Sequence, residues 1–428
     1  MMLIYSHTVS TRLQYICKFI FQEQLGTGFS LTIDSEGFKN HDGPKINYSD
    51  MVMEGNVLNL KNHSLLFEKD ISKQPIDCFE TKAYKAFFKT SNSDFSFDIF
   101  AACFYLLSRY EEYLPHEKDM YGRYAHENSM AFKEGFLQQP LINIWISHFA
   151  ETLKIKFPSF SPIPSGFCYL PTYDIDIAWS YKGKGLVRNI GGFVKSPSLE
   201  RLAVLAGLKK DPFDSYEFLR TLHSRYQLKP VYFFLVATSG SIYDKNISPY
   251  EHNMWGLIKK HAKLYDIGLH PSWKSNEKED LLKKEKKIAE TAGNTIITKS
   301  RQHYIKLSFP ETFDHLAQAG ITDDYSMGYG SINGFRASVA SSFYWYNLPA
   351  EKVTQLRLHP FCFMDANSFY EQKQDAAASL TELVYYYESC KKVNAQLITI
   401  FHNNFLGTDR LYAGWKEMYE NFISQIRQ

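Results

Sequence analysis

Cysteine is sparse and unpatterned. The six residues Cys17, Cys78, Cys103, Cys168, Cys362 and Cys390 lie far apart, with no CxxC pair among them. Such spacing offers no start for a thiolate zinc site, and the six read as reduced thiols. No apolar run approaches the roughly 18 residues that a membrane-crossing helix needs. The opening residues Met1 to His7 lack a basic stretch followed by a long apolar one. They read as a first β-strand rather than a secretory leader, and the expected location is the cytoplasm. Excess charge of either sign is also missing: 48 Lys+Arg nearly cancel 46 Asp+Glu, for a net charge of +2. Nothing general therefore drives the chain toward nucleic acid or an anionic membrane. There is no internal repeat, and Gly183-Lys184-Gly185 lacks the spacing of a phosphate-binding loop.

What is present is the balance of a folded globular protein, with 44% hydrophobic and 22% charged residues. The 428 residues suggest two or three domains. Aromatic residues are abundant at 16%. Aromatic platforms suit carbohydrate rings, but the first reading is a Phe/Tyr-rich core.

The chain changes texture near residue 160. Before it come a strand, an amphipathic stretch from Ser10 to Gln24, and a polar, irregular stretch from Thr27 to Glu80. A helical block follows, with Phe97, Phe100, Ala101, Phe104 and Leu107 at helical spacing, then the run Ser108-Arg109-Tyr110-Glu111-Glu112 and a helix from Pro140 to Leu153. The nine residues from Phe157 to Ser165 hold three prolines. We read residues 1–157 as a smaller α/β or α+β domain, 158–165 as a Pro/Ser linker and 166–428 as the main domain. In the latter, apolar strands alternate with amphipathic helices. The strands are expected at Gly166–Tyr173, Pro230–Val236, Ile267–His270, Thr295–Thr298, Ile321–Tyr325, Thr354–His359 and Gln396–Phe401, and the helices at Ser215–Tyr226, Tyr250–Leu264, Glu277–Ala292, Phe309–Ala319 and Tyr370–Val393. Such alternation indicates a parallel α/β fold, whose sites gather at the C-terminal ends of its strands. The charged run Glu277 to Lys287 is a solvated helix face.

Those ends carry chemistry. Asp174 and Asp176 alternate with Tyr173 and Ile175, so the two carboxylates share one face of an extended chain. His270 follows the apolar strand Ile267-Gly268-Leu269, where the glycine permits close approach. Arg301 and His303 follow another strand, and His402 follows Ile398-Thr399-Ile400-Phe401. His359 and Asp365 are further candidates for the pocket or for structural roles. Asp with one or two neutral imidazoles makes a metal site with open positions for water and substrate.

From Gly166 to Gln428 these motifs resemble the polysaccharide deacetylase family (NodB-homology, carbohydrate esterase family 4). That resemblance implies a distorted parallel (β/α) barrel that removes N- or O-linked acetyl groups from a carbohydrate with a divalent metal, expected to be zinc. It casts Asp174 as general base, Asp176 and His270 as metal ligands, Arg301 as the residue that holds Asp174, and His402 as general acid. A backbone N–H near Tyr173 or Ile175 would face the oxyanion, and Trp179, Tyr181 or Trp273 could stack on a sugar. Ser108-Arg109-Tyr110-Glu111-Glu112 and Tyr121-Gly122-Arg123-Tyr124 resemble an uncharacterised domain found ahead of deacetylase-like domains in Bacteroidetes. Two positions depart from the pattern. Lys274 stands where the second motif carries its second His, and His303 stands where the third motif carries Pro. The paired loss and gain make His303 the expected third ligand. Arg336 is a second arginine candidate. The competing expectations are a catalytically impaired scaffold that binds a glycan or a partner, and a hydrolase of a non-sugar amide.

Overall fold

The structure, a computed structural model, describes residues 1–195, 197–238 and 240–427. A four-stranded parallel sheet opens the chain, built from β1 (Met2–Tyr5), β2 (Phe29–Thr32), β3 (Lys45–Tyr48) and β4 (Leu58–Leu60) in the order β2-β1-β3-β4. Three of these strands lie in the stretch the sequence reads as irregular. At three or four residues each, they are too short to display an alternating pattern. Between β1 and β2, α1 (Thr11–Cys17) is capped by Ser10, whose Oγ accepts the Leu13 N–H, and continues as a π-helix through Gln24. The apolar block forms α2 (Ile99–Leu107), every residue of it buried. Asp98 caps it from the Phe100 and Ala101 amides and also accepts from Tyr48 Oη at 2.7 Å and the His63 N–H at 2.7 Å. Burial pushes this carboxyl up to about 6. The last helix of this part is α3 (Leu141–Lys156).

After an extended segment comes a nine-stranded sheet: β5 (Cys168–Ile175), β6 (Val231–Leu235), β7 (Asp266–His270), β8 (Lys299–Ser300), β9 (Asp323–Asp324), β10 (Phe343–Asn347), β11 (Lys352–Leu358), β12 (Phe363–Met364) and β13 (Gln396–His402). Their order is β10-β11-β9-β8-β7-β6-β5-β13-β12. Every pair is parallel except β10 with β11. Helices α4 (Tyr216–Tyr226), α5 (His252–Ala262), α6 (Glu279–Gly293), α7 (Glu311–Gln318), α8 (Ala376–Lys392) and α9 (Trp415–Ile426) connect and cover it. The helix expected from Tyr370 begins only at Ala376, after a separate π-helical turn at Asn367–Glu371. The strand expected at Thr295–Thr298 is instead the short pair Lys299–Ser300.

The expected barrel is curled but not closed by strand pairing. Among the described residues no ladder joins β12 to β9 or β11. Backbone hydrogen bonds from the Phe361 N–H to the Met327 carbonyl at 3.2 Å and from the Gly334 N–H to the Cys362 carbonyl at 2.9 Å link the segments that flank the gap. The curl itself shows in packing. Phe233 of β6, Tyr325 after β9, Met364 of β12 and Ile398 and Ile400 of β13 share one buried interior cluster, although β9 and β12 stand far apart in the sheet order. Gly268 in β7 makes room for this interior. A Cβ there would come within 2.5 Å of the Phe233 ring.

The main hydrophobic core runs across both parts of the chain without interruption. Tyr15 and Phe104 pack on Tyr346 at ring distances of 5.1 and 5.2 Å. The Phe335 and Ile142 amides donate to the carbonyls of Leu137 and Ser338 at 2.8 and 2.9 Å. Buried ion pairs reinforce the junction. Arg12 pairs with Glu351, and Glu112 lies between Arg109 (Nε to Oε1, 2.7 Å) and Arg336 (Nε to Oε1, 2.9 Å). Arg336, the second arginine candidate, is thus committed to the junction. No helix among the described residues is long and apolar enough to cross a membrane, and all six cysteines are free thiols.

Candidate metal and acid-base centre

The C-terminal ends of β5, β7, β8 and β13 deliver their polar residues to one point. Strand alternation holds in β5. Tyr173 points outward, its hydroxyl 2.8 Å from His223 Nε2, while Asp174 points into the curl. Arg301 reaches Asp174 Oδ1 at 2.8 Å and Thr172 Oγ1 at 2.7 Å through Nη1, and donates from Nε to the Tyr325 carbonyl at 3.0 Å. The guanidinium sits 4.5 Å above the Phe233 ring and is fully buried. Asp174 is therefore a buried carboxylate with a fixed orientation.

Asp176, one step past β5, is met by three imidazoles. His270 Nε2 lies 3.0 Å from Oδ1, and His303 Nε2 and His402 Nε2 lie 3.4 and 3.5 Å from Oδ2. On each ring the other nitrogen faces a group that only accepts: the Arg301 carbonyl for His270 Nδ1 (2.5 Å), Asp244 Oδ1 for His303 Nδ1 (3.0 Å) and Asp365 Oδ1 for His402 Nδ1 (2.6 Å). Each Nδ1 must carry its hydrogen. In the neutral rings, then, three Nε2 lone pairs converge on a carboxylate, and lone pair faces lone pair. Only protons or a cation at the centre make the arrangement favourable. With protons there, the ionic picture is self-consistent. Burial by itself raises the Asp176 carboxyl, but His303, His402 and His270 outweigh it and hold it well below the usual range. Burial opposes charge on His303 and His402, yet Asp176 and Asp244 push the former up to about 9, and Asp365 and Asp176 push the latter up to about 10.

A cation fits the same donors. Asp176, His270 and His303 offer ligand atoms within 4.8 Å of one another. One carboxylate oxygen with two imidazole nitrogens, each Nδ1–H tied to an oxygen acceptor, is a donor set suited to zinc and its neighbours. Lys274 is exposed at the start of the short helix Ser275–Glu277 and lies outside this donor group, whereas His303 belongs to it.

The centre opens into a cavity of about 630 Å³, lined among others by Asp174, Asp176, His270, His303 and His402. All six residues singled out by sequence, with Arg301 directly beneath, thus meet. His359 does not. It bonds Asp323 and Ser342 at 2.8 Å each and lines a separate cavity. Asp365 is the buried partner of His402, accepting both its Nδ1–H and its amide N–H. Asp244 was not anticipated. It sits in a loop after β6 and ends no strand, so no positional signal marked it. The aromatic residues anticipated for stacking are misplaced. Trp179 is buried, Tyr181 lies under Arg201, and Trp273 stands behind Tyr243 at 4.0 Å. The cavity wall is instead built from Tyr121, Tyr243 and Tyr304. The Tyr173 backbone is flanked by ladder partners, Tyr232 and Phe401, on both sides, leaving Ile175 nearer the open strand end.

Comparison with known proteins gives one family match, described as a family of unknown function (DUF7033), over residues 2–158. No curated protein matches the chain. Similar solved structures include a Mycobacterium smegmatis protein assigned as a polysaccharide deacetylase, at 12% identity and a TM-score of 0.41, covering 61% of this chain and 84% of the other. The allantoinase PuuE is similar at 10% identity and a TM-score of 0.39, with the same coverage. A polysaccharide deacetylase from Bacillus cereus is similar at 10% identity and a TM-score of 0.31, covering 61% and 88%.

Proposed function

We propose that the protein is a metal-dependent deacetylase of an acetylated carbohydrate, with Asp176, His270 and His303 holding a divalent ion, zinc by donor type. The observation that carries this reading is the set of imidazole Nε2 atoms aimed at one carboxylate, every Nδ1 tied to an acceptor. The sequence motifs point the same way. An ion bound there would supply a Lewis acid for the acetyl carbonyl and would acidify water.

The protein's own groups do the rest. Asp174, immobilised by Arg301, accepts the proton of the attacking water. His402 lies across Asp176 from His270 and outside the compact three-residue donor group, so its Nε2 is the proton donor to the departing nitrogen or oxygen. Asp365 fixes the His402 tautomer and sustains its charged form. Base and acid stand side by side on adjacent strands, Asp174 and His402 being register partners, each with its own buried counter-ion.

Elemental analysis of purified wild type and His303→Ala tests the assignment. Wild type should carry close to one equivalent of metal, and the variant should bind it at least tenfold more weakly. Undiminished affinity in the variant would remove His303 from the ligand set. A wild type that takes up no divalent ion would instead favour a deacetylase-like scaffold that binds a glycan without turning it over.

A further inference from the structure

The wall of the cavity is not made by the nine-stranded sheet alone. Met120, Tyr121 and Arg123, from the region matched by the family of unknown function, line the same space as Asp174, Asp176 and the three histidines. Their loop is tightly held. Asp119 Oδ1 accepts the backbone N–H of Tyr121 and of Arg123, both at 2.9 Å, while its Oδ2 takes Arg123 Nε at 2.6 Å. Arg123 Nη1 then reaches across to the carbonyl of Tyr304 at 2.7 Å.

Tyr304 directly follows His303 and, with Ile305, adopts a left-handed backbone, φ 58° and 54°. Neither residue type favours that conformation, so something must hold it. The Arg123 bond is placed to do so. Gly330 leaves the room: a Cβ there would lie 2.0 Å from Arg123 Nη1 and 2.8 Å from the Tyr304 oxygen. The guanidinium also lies 4.8 Å from the Tyr121 ring centre, fixing that ring in turn.

The result is a cluster of rings gathered around Tyr304 beside the centre. His303 to Tyr304 is 4.6 Å between centroids, Tyr304 to Tyr121 is 5.2 Å, and Tyr304 to Tyr243 is 5.5 Å. Trp273 backs the cluster, stacked on Tyr243. Tyr370, Phe405 and Tyr412 line the same cavity, Phe405 stacked on Tyr412 at 4.1 Å. A cavity so rich in aromatic side chains matches a ring that is apolar on its C–H face and hydroxylated at its edge. The volume of about 630 Å³ lies within the usual range for small-ligand sites, about 300–1,000 Å³.

We infer that the first 157 residues supply a substrate subsite: Tyr121, set in place by Arg123, is the stacking surface for the sugar ring next to the acetyl-bearing one. This rests on the carbohydrate reading of the centre. It gives the N-terminal region a direct part in recognition, and makes a disaccharide or longer chain, rather than a lone sugar, the preferred ligand. Tyr121 touches the ligand, whereas Arg123 is a positioning residue that acts through Tyr121 and Tyr304.

The test is calorimetric titration of the full-length, metal-loaded protein with N-acetylglucosamine and its disaccharide. An aromatic face engaging one more ring should make the disaccharide bind about tenfold tighter. Tyr121→Ala should lose that gain while keeping its affinity for the monosaccharide. Tyr121→Phe should retain it, which separates a stacking role from a hydroxyl or folding role. Gly330→Ala, whose methyl falls on the Arg123 guanidinium and the Tyr304 carbonyl, should likewise lose the disaccharide gain. An equal gain in wild type and Tyr121→Ala overturns the inference. So does a wild type that takes up metal but shows no preference for the disaccharide, an outcome that leaves the metal centre standing. A wild type that takes up no metal and binds neither sugar overturns both readings.

Discussion

Glu112→Gln should destabilise the protein strongly at neutral pH and hardly at all in acid. The carboxylate is 5% exposed and is shared by two arginines, Arg109 and Arg336, themselves almost fully buried. Burial works against its charge, but Arg336 and Arg109 outweigh burial and draw the carboxyl from 4.5 down to about 2. That displacement is worth about 3 kcal/mol, at about 1.4 kcal/mol per tenfold change in acidity. An independent route agrees: removing one member of a buried charge network costs about 3–5 kcal/mol, because the remaining charges stay buried and unpaired. The sign follows from the depressed value. The stabilisation is complete above the unfolded carboxyl's 4.5 and is lost as pH falls through the interval down to about 2, since wild-type Glu112 then becomes neutral like Gln. The assay is urea unfolding of wild type and Glu112→Gln at pH 7 and at pH 2.5, each referenced to the other, so that the remaining acidic groups cancel. A difference of about 3 kcal/mol at pH 7 that shrinks by more than half at pH 2.5 is expected. A difference below about 0.5 kcal/mol at pH 7, or one independent of pH, would refute the claim that this ion cluster ties the two parts of the chain together.

Other outcomes follow from the centre. Asp174→Asn should cut acetate release from an N-acetylated sugar by about 10² or more, while metal content stays unchanged. Equal turnover in wild type and variant would mean that the activity arises elsewhere. His402→Ala should slow N-acetyl substrates far more than an aryl acetate, whose leaving oxygen needs little protonation, and a uniform loss on both would remove His402 from the acid role. Gly268→Ala should destabilise the fold by about 1–3 kcal/mol, because its methyl would drive into the Phe233 ring on which Arg301 rests. Thermal unfolding measures this, and an unchanged midpoint would contradict the packing described.

The sequence is most legible where side chains repeat with a regular period. β5, β6, β7 and β13 are long enough for their apolar runs to show, and the ends of β5, β7 and β13 deliver residues of the centre. β8, β9 and β12 have two residues each. β9 lies inside the apolar stretch Ile321–Tyr325 that marks it, whereas pairing with neighbours, not local preference, makes β12 a strand and sets the bounds of β8. β10 was missed because its antiparallel return to β11 breaks the strand–helix alternation. Within the site, the residues that touch the central carboxylate were legible, whereas Asp244 became apparent only through its bond to His303. The stacking surface was sought among residues close in sequence to the motifs, Trp179, Tyr181 and Trp273. The wall that forms includes Tyr121, more than 50 residues upstream of Asp174, brought there by the packing of the two parts.

The place of β13 has a consequence for synthesis. It pairs with β5 over seven residues, from Gln396↔Cys168 to His402↔Asp174, the longest register in the large sheet. The strand that borders the first carboxylate is therefore synthesised more than 220 residues after that carboxylate's own strand. Until it arrives, β5 has one open edge, and Asp174 and Asp176 face water with no His402 opposite. Such a contact joins residues some 230 positions apart and closes late, because the whole intervening stretch must be made before so distant a pairing repays its loop entropy. The nascent protein thus passes through a stage with an unpaired apolar edge, Tyr169 to Ile175, exposed to pairing with other chains. The centre comes into being only when that edge is sealed, so a nascent chain that stops short of residue 396 has neither acid nor finished pocket.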